Sequence, residues 1–240
     1  SNTVTLNGFG IDHMPAAISA AGAVTAYVQD TQMQDTTHIY QICPYDLEQF
    51  LKLDDRSCRN LELLANLQTR DKKGSLIAVL DKTATAMGSR KIKHWLRQPL
   101  VNPLEIELRL QAVQQLVEAP HIHKTLTVTL KSVYDLERLG SKVSMGQGNA
   151  RDLLALKTSL ACLPELFTIL EQLDHPLLNG SRMDDLEESL IRLGCLTDLI
   201  ETAIREDAPH VLNEGGLIND GYSPELDELV SISRDGKSWI

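Results

Sequence analysis

Asn102-Pro103-Leu104-Glu105-Ile106-Glu107-Leu108-Arg109-Leu110-Gln111-Ala112-Val113-Gln114-Gln115-Leu116-Val117-Glu118-Ala119-Pro120 is the stretch on which the fold turns. Asn102 is a residue type that caps the free N–H groups of a helix, and Pro103 loses nothing at the first helical position. Glu105 is placed to reach back as a capping box. Ile106, Leu110, Val113 and Val117 recur at i, i+4, i+7 and i+11, one stripe of an amphipathic helix. Ala119-Pro120 closes it. A helix with both ends specified therefore sits near the middle of the chain.

The same signals recur on both sides. Upstream, Ser89 to Leu100 reads as a helix with Ile92, Trp95, Leu96 and Leu100 on one face and Arg90, Lys93 and Arg97 on another, ended by Pro99. Trp95 is expected in the core. Ser75 to Leu80 is apolar but too short to settle between helix and strand, and follows a charged turn, Arg70 to Ser75. Before that, the leucine cluster Leu61, Leu63, Leu64 and Leu67 follows the polar stretch 54–60. Downstream, helices are expected over Leu126 to Leu139 before Gly140, and over Ala150 to Leu163 with Asn149 as cap and Asp152 near the start. Further helices are expected over Glu165 to Leu173 after Pro164, over Met183 to Leu193 before Gly194, and over Cys195 to Arg205. Gly215-Gly216 and Gly221 bound a short segment, Leu217 to Asp220, that is either a turn or a strand. Ser223-Pro224-Glu225 starts a last helix, which carries Leu226, Leu229, Val230 and Ser233, has Leu226, Leu229 and Val230 as its docking stripe, and meets no convincing stop.

At the other end, Met14 to Gln32 is Ala-rich and reads as one helix with Pro15 in its first turn. Thr3 to Ile11 is short and extended with no strand partner nearby, which suggests that a sheet once preceded it. Ser1-Asn2 reads as a cloning remnant.

Composition agrees with an all-α chain. The 240 residues include 39 leucines against 3 Phe, 5 Tyr and 2 Trp, and leucine favours helices where strands favour β-branched and aromatic residues. No apolar run approaches the roughly 18–20 residues of a membrane span. Cys43, Cys58, Cys162 and Cys195 contain no CxxC pair and fit a reducing, cytoplasmic setting better than a disulfide framework. Membrane, collagen-like, disordered and disulfide-scaffold classes are set aside. The net charge of −10 is uneven, with residues 51–100 at +6 and residues 181–240 at −9. A chain this acidic is expected to be a poor general DNA binder, because such affinity comes mainly from neutralising phosphates.

Motifs with chemistry are scarce. Gly236-Lys237-Ser238 lacks the upstream glycine and preceding strand of a phosphate-cradling loop. His121 and His123 lack the helical spacing of a zinc pair and read as surface residues. Asp184, Asp185, Glu187 and Glu188 read as a solvated helix face. The basic face of Arg90, Lys93 and Arg97 is the one candidate contact with DNA, and itself more often a solvated face. No catalytic, cofactor-binding or metal-binding residue is assigned.

Read as strings, the segments carry more. Leu53-Asp54 with Arg59-Asn60-Leu61-Glu62-Leu63 resembles the signature that opens the core domain of the MutS family of DNA mismatch repair proteins. Ser57 stands where that family commonly has Thr. Leu80-Asp81-Lys82-Thr83-Ala84-Thr85-Ala86-Met87-Gly88-Ser89-Arg90, continuing through Trp95-Leu96 to Pro99-Leu100, resembles a second family stretch, with Ala86 where Pro is common. Tyr134-Asp135-Leu136-Glu137-Arg138, Arg151-Asp152-Leu153, Gly215-Gly216-Leu217-Ile218, Gly221-Tyr222 and Glu225-Leu226-Asp227-Glu228 follow in family order.

The resemblance implies an all-α, multihelical core or lever domain over residues 34–240, truncated where a clamp would begin. Residues 1–33 would be the remnant of a connector domain. It implies a structural piece that couples mismatched-DNA binding by clamp and recognition domains to an ATPase domain. The whole protein would be a DNA-dependent ATPase using ATP and magnesium, homodimeric, cytoplasmic, and engaged with a MutL-type partner. The mismatch-reading Phe-x-Glu and the Walker motifs do not occur in these residues, so none of their roles is carried over. The piece itself is expected to be monomeric and non-catalytic, without a cofactor. The rival reading is an independent helical adaptor that binds a protein partner.

Overall fold

The computed structural model describes residues 14–32, 47–179, 186–209 and 212–238. Regular structure there is helical: α1 (Pro15–Gln32), α2 (Asp55–Asn60), α3 (Leu76–Leu80), α4 (Ala86–Arg97), α5 (Pro103–Glu118), α6 (Pro120–Leu130), α7 (Leu136–Ser144), α8 (Ala150–Ala161), α9 (Leu163–Leu170), α10 (Leu186–Ala203) and α11 (Pro224–Ser238). Among the described residues there is no β-strand. Ile204 and Ile218 form an isolated antiparallel bridge. The chain divides into two compact units, Ser1–Lys52 and Leu53–Ile240. The first contains α1, a largely exposed helix that begins where Pro15 predicts. The extended reading of Thr3 to Ile11 lies outside the described residues.

In the second unit α6 packs on α9, and α8 packs on both α7 and α10. Ile122, Ile169 and Leu173 centre the first contact, with Leu116, Ala119, Leu126, Leu170 and Leu178 around them. The buried residues of the second group are Leu139, Ala150, Ser159, Leu160, Ile200 and Ala203. Each buried Leu or Ile side chain contributes about 1.5–3 kcal/mol relative to exposure. The tract Ala150–Leu170 has a mean hydropathy of 1.6 and is long and apolar enough to cross a membrane by length and composition. That corrects the expectation that no such tract exists. Pro164 falls inside it, and Ser159, Leu160, Leu166 and Ile169 are buried within the helical packing.

Several caps match their sequence signals. Asp152 N–H donates to Asn149 Oδ1 at 2.8 Å while Asn149 N–H donates to Asp152 Oδ2 at 3.2 Å, a complete capping box. Leu104 N–H donates to Asn102 Oδ1 at 3.0 Å, which is the second helical donor and not the third that a capping box uses.

Other boundaries differ, each for a local reason. The polar stretch 54–60 is itself helical (α2), begun by Ser57 N–H donating to Asp54 Oδ1 at 2.7 Å, and the leucines after it form turns. Leu126 to Leu139 is two helices, because Asp135 caps α7 and Tyr134 N–H leaves the helical pattern to donate to the buried Ser159 Oγ at 2.9 Å. Gly140 and Gly194 end nothing, since α7 and α10 run through them. Both sit with open space beside the Cα, and the packing of α7 and α10 on α8 outweighs their weak helix propensity. The segment after Gly216 is a short paired edge: Arg205 N–H donates to Leu217 O and Asn219 N–H to Ala203 O, each at 2.9 Å.

The stripe expected to bury α5 faces outward: Leu110, Val113 and Val117 are 57%, 57% and 72% exposed. The inward face is instead Ala112 and Leu116. This helix is apolar on two sides, so period alone could not choose between them. Trp95 is not a core residue either. It is 39% exposed, with the Arg109 guanidinium 4.1 Å and the Lys91 ammonium 5.9 Å from its ring centroid.

Candidate functional site: ion ties around α4 and an arginine-lined groove

The segment leading into α4 is built around one carboxylate. Asp81 accepts hydrogen bonds from Lys72 Nζ at 2.8 Å, Thr83 Oγ1 at 2.6 Å and Ser89 Oγ at 3.0 Å. These bonds, the Lys72 one foremost, hold its carboxyl far below the usual carboxylate range. Thr85 then caps α4, accepting from Gly88 N–H at 3.0 Å. A side chain at position 88 would place its Cβ 3.1 Å from Thr85 Oγ1 and 3.2 Å from Thr83 Cβ, so any other residue there would press on the two threonines. Ala86 occupies the first helical position, where a proline is equally at home.

Arg90, one turn on, ties α4 to the start of α7. Its two terminal nitrogens each donate at 2.7 Å to an oxygen of Asp135, and Nε and Nη2 donate to Glu137 Oε2 at 3.1 and 2.6 Å. A guanidinium forked onto carboxylates in this way is charge-assisted and geometrically specific. The pairing raises the Arg90 pKa, and Arg90 is in turn the main cause that lowers the Asp135 carboxyl to about 2. Asp135 also caps α7 by accepting from Arg138 N–H at 3.2 Å.

Further ties continue along the chain. Lys142 Nζ reaches both oxygens of Asp152 at 2.9 and 3.0 Å, and Arg151 Nε donates to Ala208 O at 3.2 Å. The Asn219 side-chain amide donates to the carbonyls of Glu201, Thr202 and Ile204 at the end of α10. One partner of each of these ties, Asp152, Arg151 or Asn219, lies in or directly beside the strings quoted above. What those strings encode locally is a set of caps and ion ties.

A depressed carboxylate pKa has a signed consequence. Because the folded-state value of Asp135 lies below its ordinary 3.8, the tie's contribution is fully present above that value and is lost as pH falls towards about 2. Melting temperature followed from about pH 5 down to about pH 2 will show wild type losing more than Asp135→Asn, which keeps a cap but not the charge. Parallel curves would show that the tie adds nothing to stability.

The three basic residues singled out from sequence are not brought together as one free surface. Arg90 is taken up by its carboxylates. Lys93 is exposed on α4. Arg97, at the end of α4, lines a separate groove of about 580 Å³ together with Arg59 of α2 and Arg70 of the following turn. Sequence reading missed Arg59 and Arg70, which no helical period connects to Arg97. The one signal was the positive excess over residues 51–100.

Gly236, Lys237 and Ser238 continue α11, so their backbone is helical and forms no phosphate-cradling loop. Among the described residues no group of three or more His, Cys, Asp and Glu is arranged to hold a metal ion. His121 and His123 are exposed on α6. His175, by contrast, is buried, with Nδ1 accepting from Leu177 N–H at 3.1 Å. Asp184 and Asp185 lie outside the described residues, and Glu188 pairs with Arg192 on α10.

Residues 56–235 match the family model described as MutS domain III. The chain is 56% identical over 238 residues to the DNA mismatch repair protein MutS of Desulforapulum autotrophicum, covering 99% of this chain and 27% of that protein. It is 45% identical to the proteins of the same name from Desulfatibacillum aliphaticivorans and Desulfosudis oleivorans, again over 99% of the chain and 26% and 27% of theirs. The chain thus spans about a quarter of the length of these relatives.

Proposed function

As this chain belongs to the MutS family, we propose that it is the core or lever region of a DNA mismatch repair protein and couples DNA binding elsewhere in that protein to an ATPase. Residues 1–33 are read as the end of a connector domain and residues 34–240 as the first part of the lever. The observation that carries the reading is the Arg90 tie, which fixes α4 against the start of α7 across 45 residues of sequence with four hydrogen bonds. Helices tied together in this way move as units with discrete arrangements, which is what transmission of a displacement requires.

In this reading Arg90 is a positioning residue, not a phosphate contact. DNA, ATP with magnesium, a MutL-type partner and a second copy are engaged by parts of the whole protein outside this chain. The working location is the cytoplasm. The chain itself contributes no catalytic group. An independent adaptor remains the rival, and the two separate by experiment.

In the whole protein, Arg90→Gln is expected to leave ATP turnover without DNA unchanged and to lower its stimulation by mismatched duplex roughly fivefold, the low end of ordinary coupling between sites. Full stimulation in a folded Arg90→Gln protein would count against the lever. Equal loss with and without DNA would point to damage of the ATPase instead.

A further inference from the structure

We infer that the groove between α2 and the end of α4 is a docking site for an acidic protein segment, one with carboxylates on either side of an apolar side chain. Arg59, Arg70 and Arg97 come from three separate parts of the sequence and line one concavity of about 580 Å³. Elsewhere in the chain Arg90, Arg192 and Arg205 each lie against a carboxylate. Among the described residues the three groove arginines have no such partner, although Asp55 lines the same groove. Three like charges facing one opening against a single carboxylate are a recognition surface for anions.

The groove is held in place. Arg70 has φ +60°, an uncommon conformation for a residue with a Cβ. Its N–H donates to Asn66 O at 3.0 Å, and Asn66 Oδ1 accepts from Gln68 and Thr69 N–H at 2.9 and 3.1 Å. Leu67 N–H donates to Glu62 Oε1 at 2.7 Å, which closes the turn on its other side. The turn that presents Arg70 is therefore preorganised.

One observation favours an acidic peptide over a nucleic acid backbone. The groove also carries Leu64 and Leu67, the latter 52% exposed, and these suit an aliphatic side chain and not a phosphodiester. Guanidinium forks match carboxylates and phosphates alike, so it is this apolar lining that separates the two.

The test is fluorescence polarisation of this 240-residue chain with a labelled, end-blocked Asp-Glu-Leu-Glu-Asp peptide, its Asp-Glu-Ser-Glu-Asp counterpart, and a labelled DNA duplex. The leucine peptide is expected to bind, the serine peptide more weakly. Arg59→Gln and Arg97→Gln, both at exposed helix positions, are each expected to weaken it roughly tenfold. Arg192→Gln on α10 should have no effect, and circular dichroism confirms the fold of each variant. Whole protein given the same peptide should show the same ranking. Three results overturn the proposal: no peptide binding, binding indifferent to Arg59 and Arg97, or duplex DNA bound through those arginines in place of the peptide.

Discussion

Ile77→Ala will destabilise this chain by about 2–5 kcal/mol, the range for a buried isoleucine truncated in a core. A domain holds only about 5–15 kcal/mol in total, so the effect is a large share of it. Ile77 is 1% exposed although α3 spans only Leu76–Leu80. Such a short helix has little stability of its own. It is fixed from outside: Leu76 N–H donates to Glu62 O at 3.0 Å and Ile77 N–H to Leu63 O at 2.9 Å. Ser75, 2% exposed, closes the turn before it by donating from Oγ to Lys72 O at 2.6 Å. Removing the Ile77 side chain leaves a cavity that these backbone bonds prevent from collapsing. Urea unfolding will show a lower midpoint with an unchanged slope, while Val79→Ala, at a position 69% exposed, stays within about 0.5 kcal/mol of wild type. A loss below about 1 kcal/mol for Ile77→Ala would mean that the turn repacks freely and does not anchor the start of α4.

Leu229→Pro is expected to cost about 3 kcal/mol or more in α11, by removing one backbone donor and forcing a clash with the preceding turn. The base of this helix is well specified. Asp227 N–H donates to Ser223 O at 3.0 Å, and Gly221 N–H donates to Asp227 Oδ2 at 2.9 Å. Leu226 and Val230 face the turn at Gly215 to Ile218, whereas Leu229, read from sequence as part of the docking stripe, is 64% exposed. That exposure makes the substitution clean, because Leu229→Ala removes the same side chain without touching the backbone and should behave as wild type. If α11 is the base of a lever, a kink at Leu229 spares nucleotide binding in the whole protein and abolishes stimulation of nucleotide exchange by DNA. Undiminished stimulation in a folded Leu229→Pro protein would exclude that role for the helix.

The parts of this fold that were readable from sequence are those decided within four or five residues. Asn149 with Asp152, Asn102 with Pro103 and Ser223 with Pro224 all start helices where their chemistry says, because a cap needs only its own next turn. What escaped depended on residues distant in the chain. Tyr134 leaves the helical pattern for Ser159, and Gly194 is carried through by the packing of α10 on α8. The candidate site divides in the same way. Arg90 stood out, but its occupation by Asp135 and Glu137 is a tertiary fact. Arg59 and Arg70 were invisible as partners of Arg97 because no periodicity joins a helix end, a left-handed turn and a second helix end.

The outward stripe on α5 changes how genetic variants in this chain ought to be interpreted. An aliphatic residue on an amphipathic helix is ordinarily scored as a core position, and a damaging change there is put down to misfolding and degradation. At Leu110, Val113 and Val117, which are 57%, 57% and 72% exposed, that habit misleads. Exchange for a polar residue removes little contact from this chain's own interior, so protein abundance is a poor guide to functional damage at these positions. A loss of function traced to one of them, with normal protein levels, would report on a surface that rests against α5.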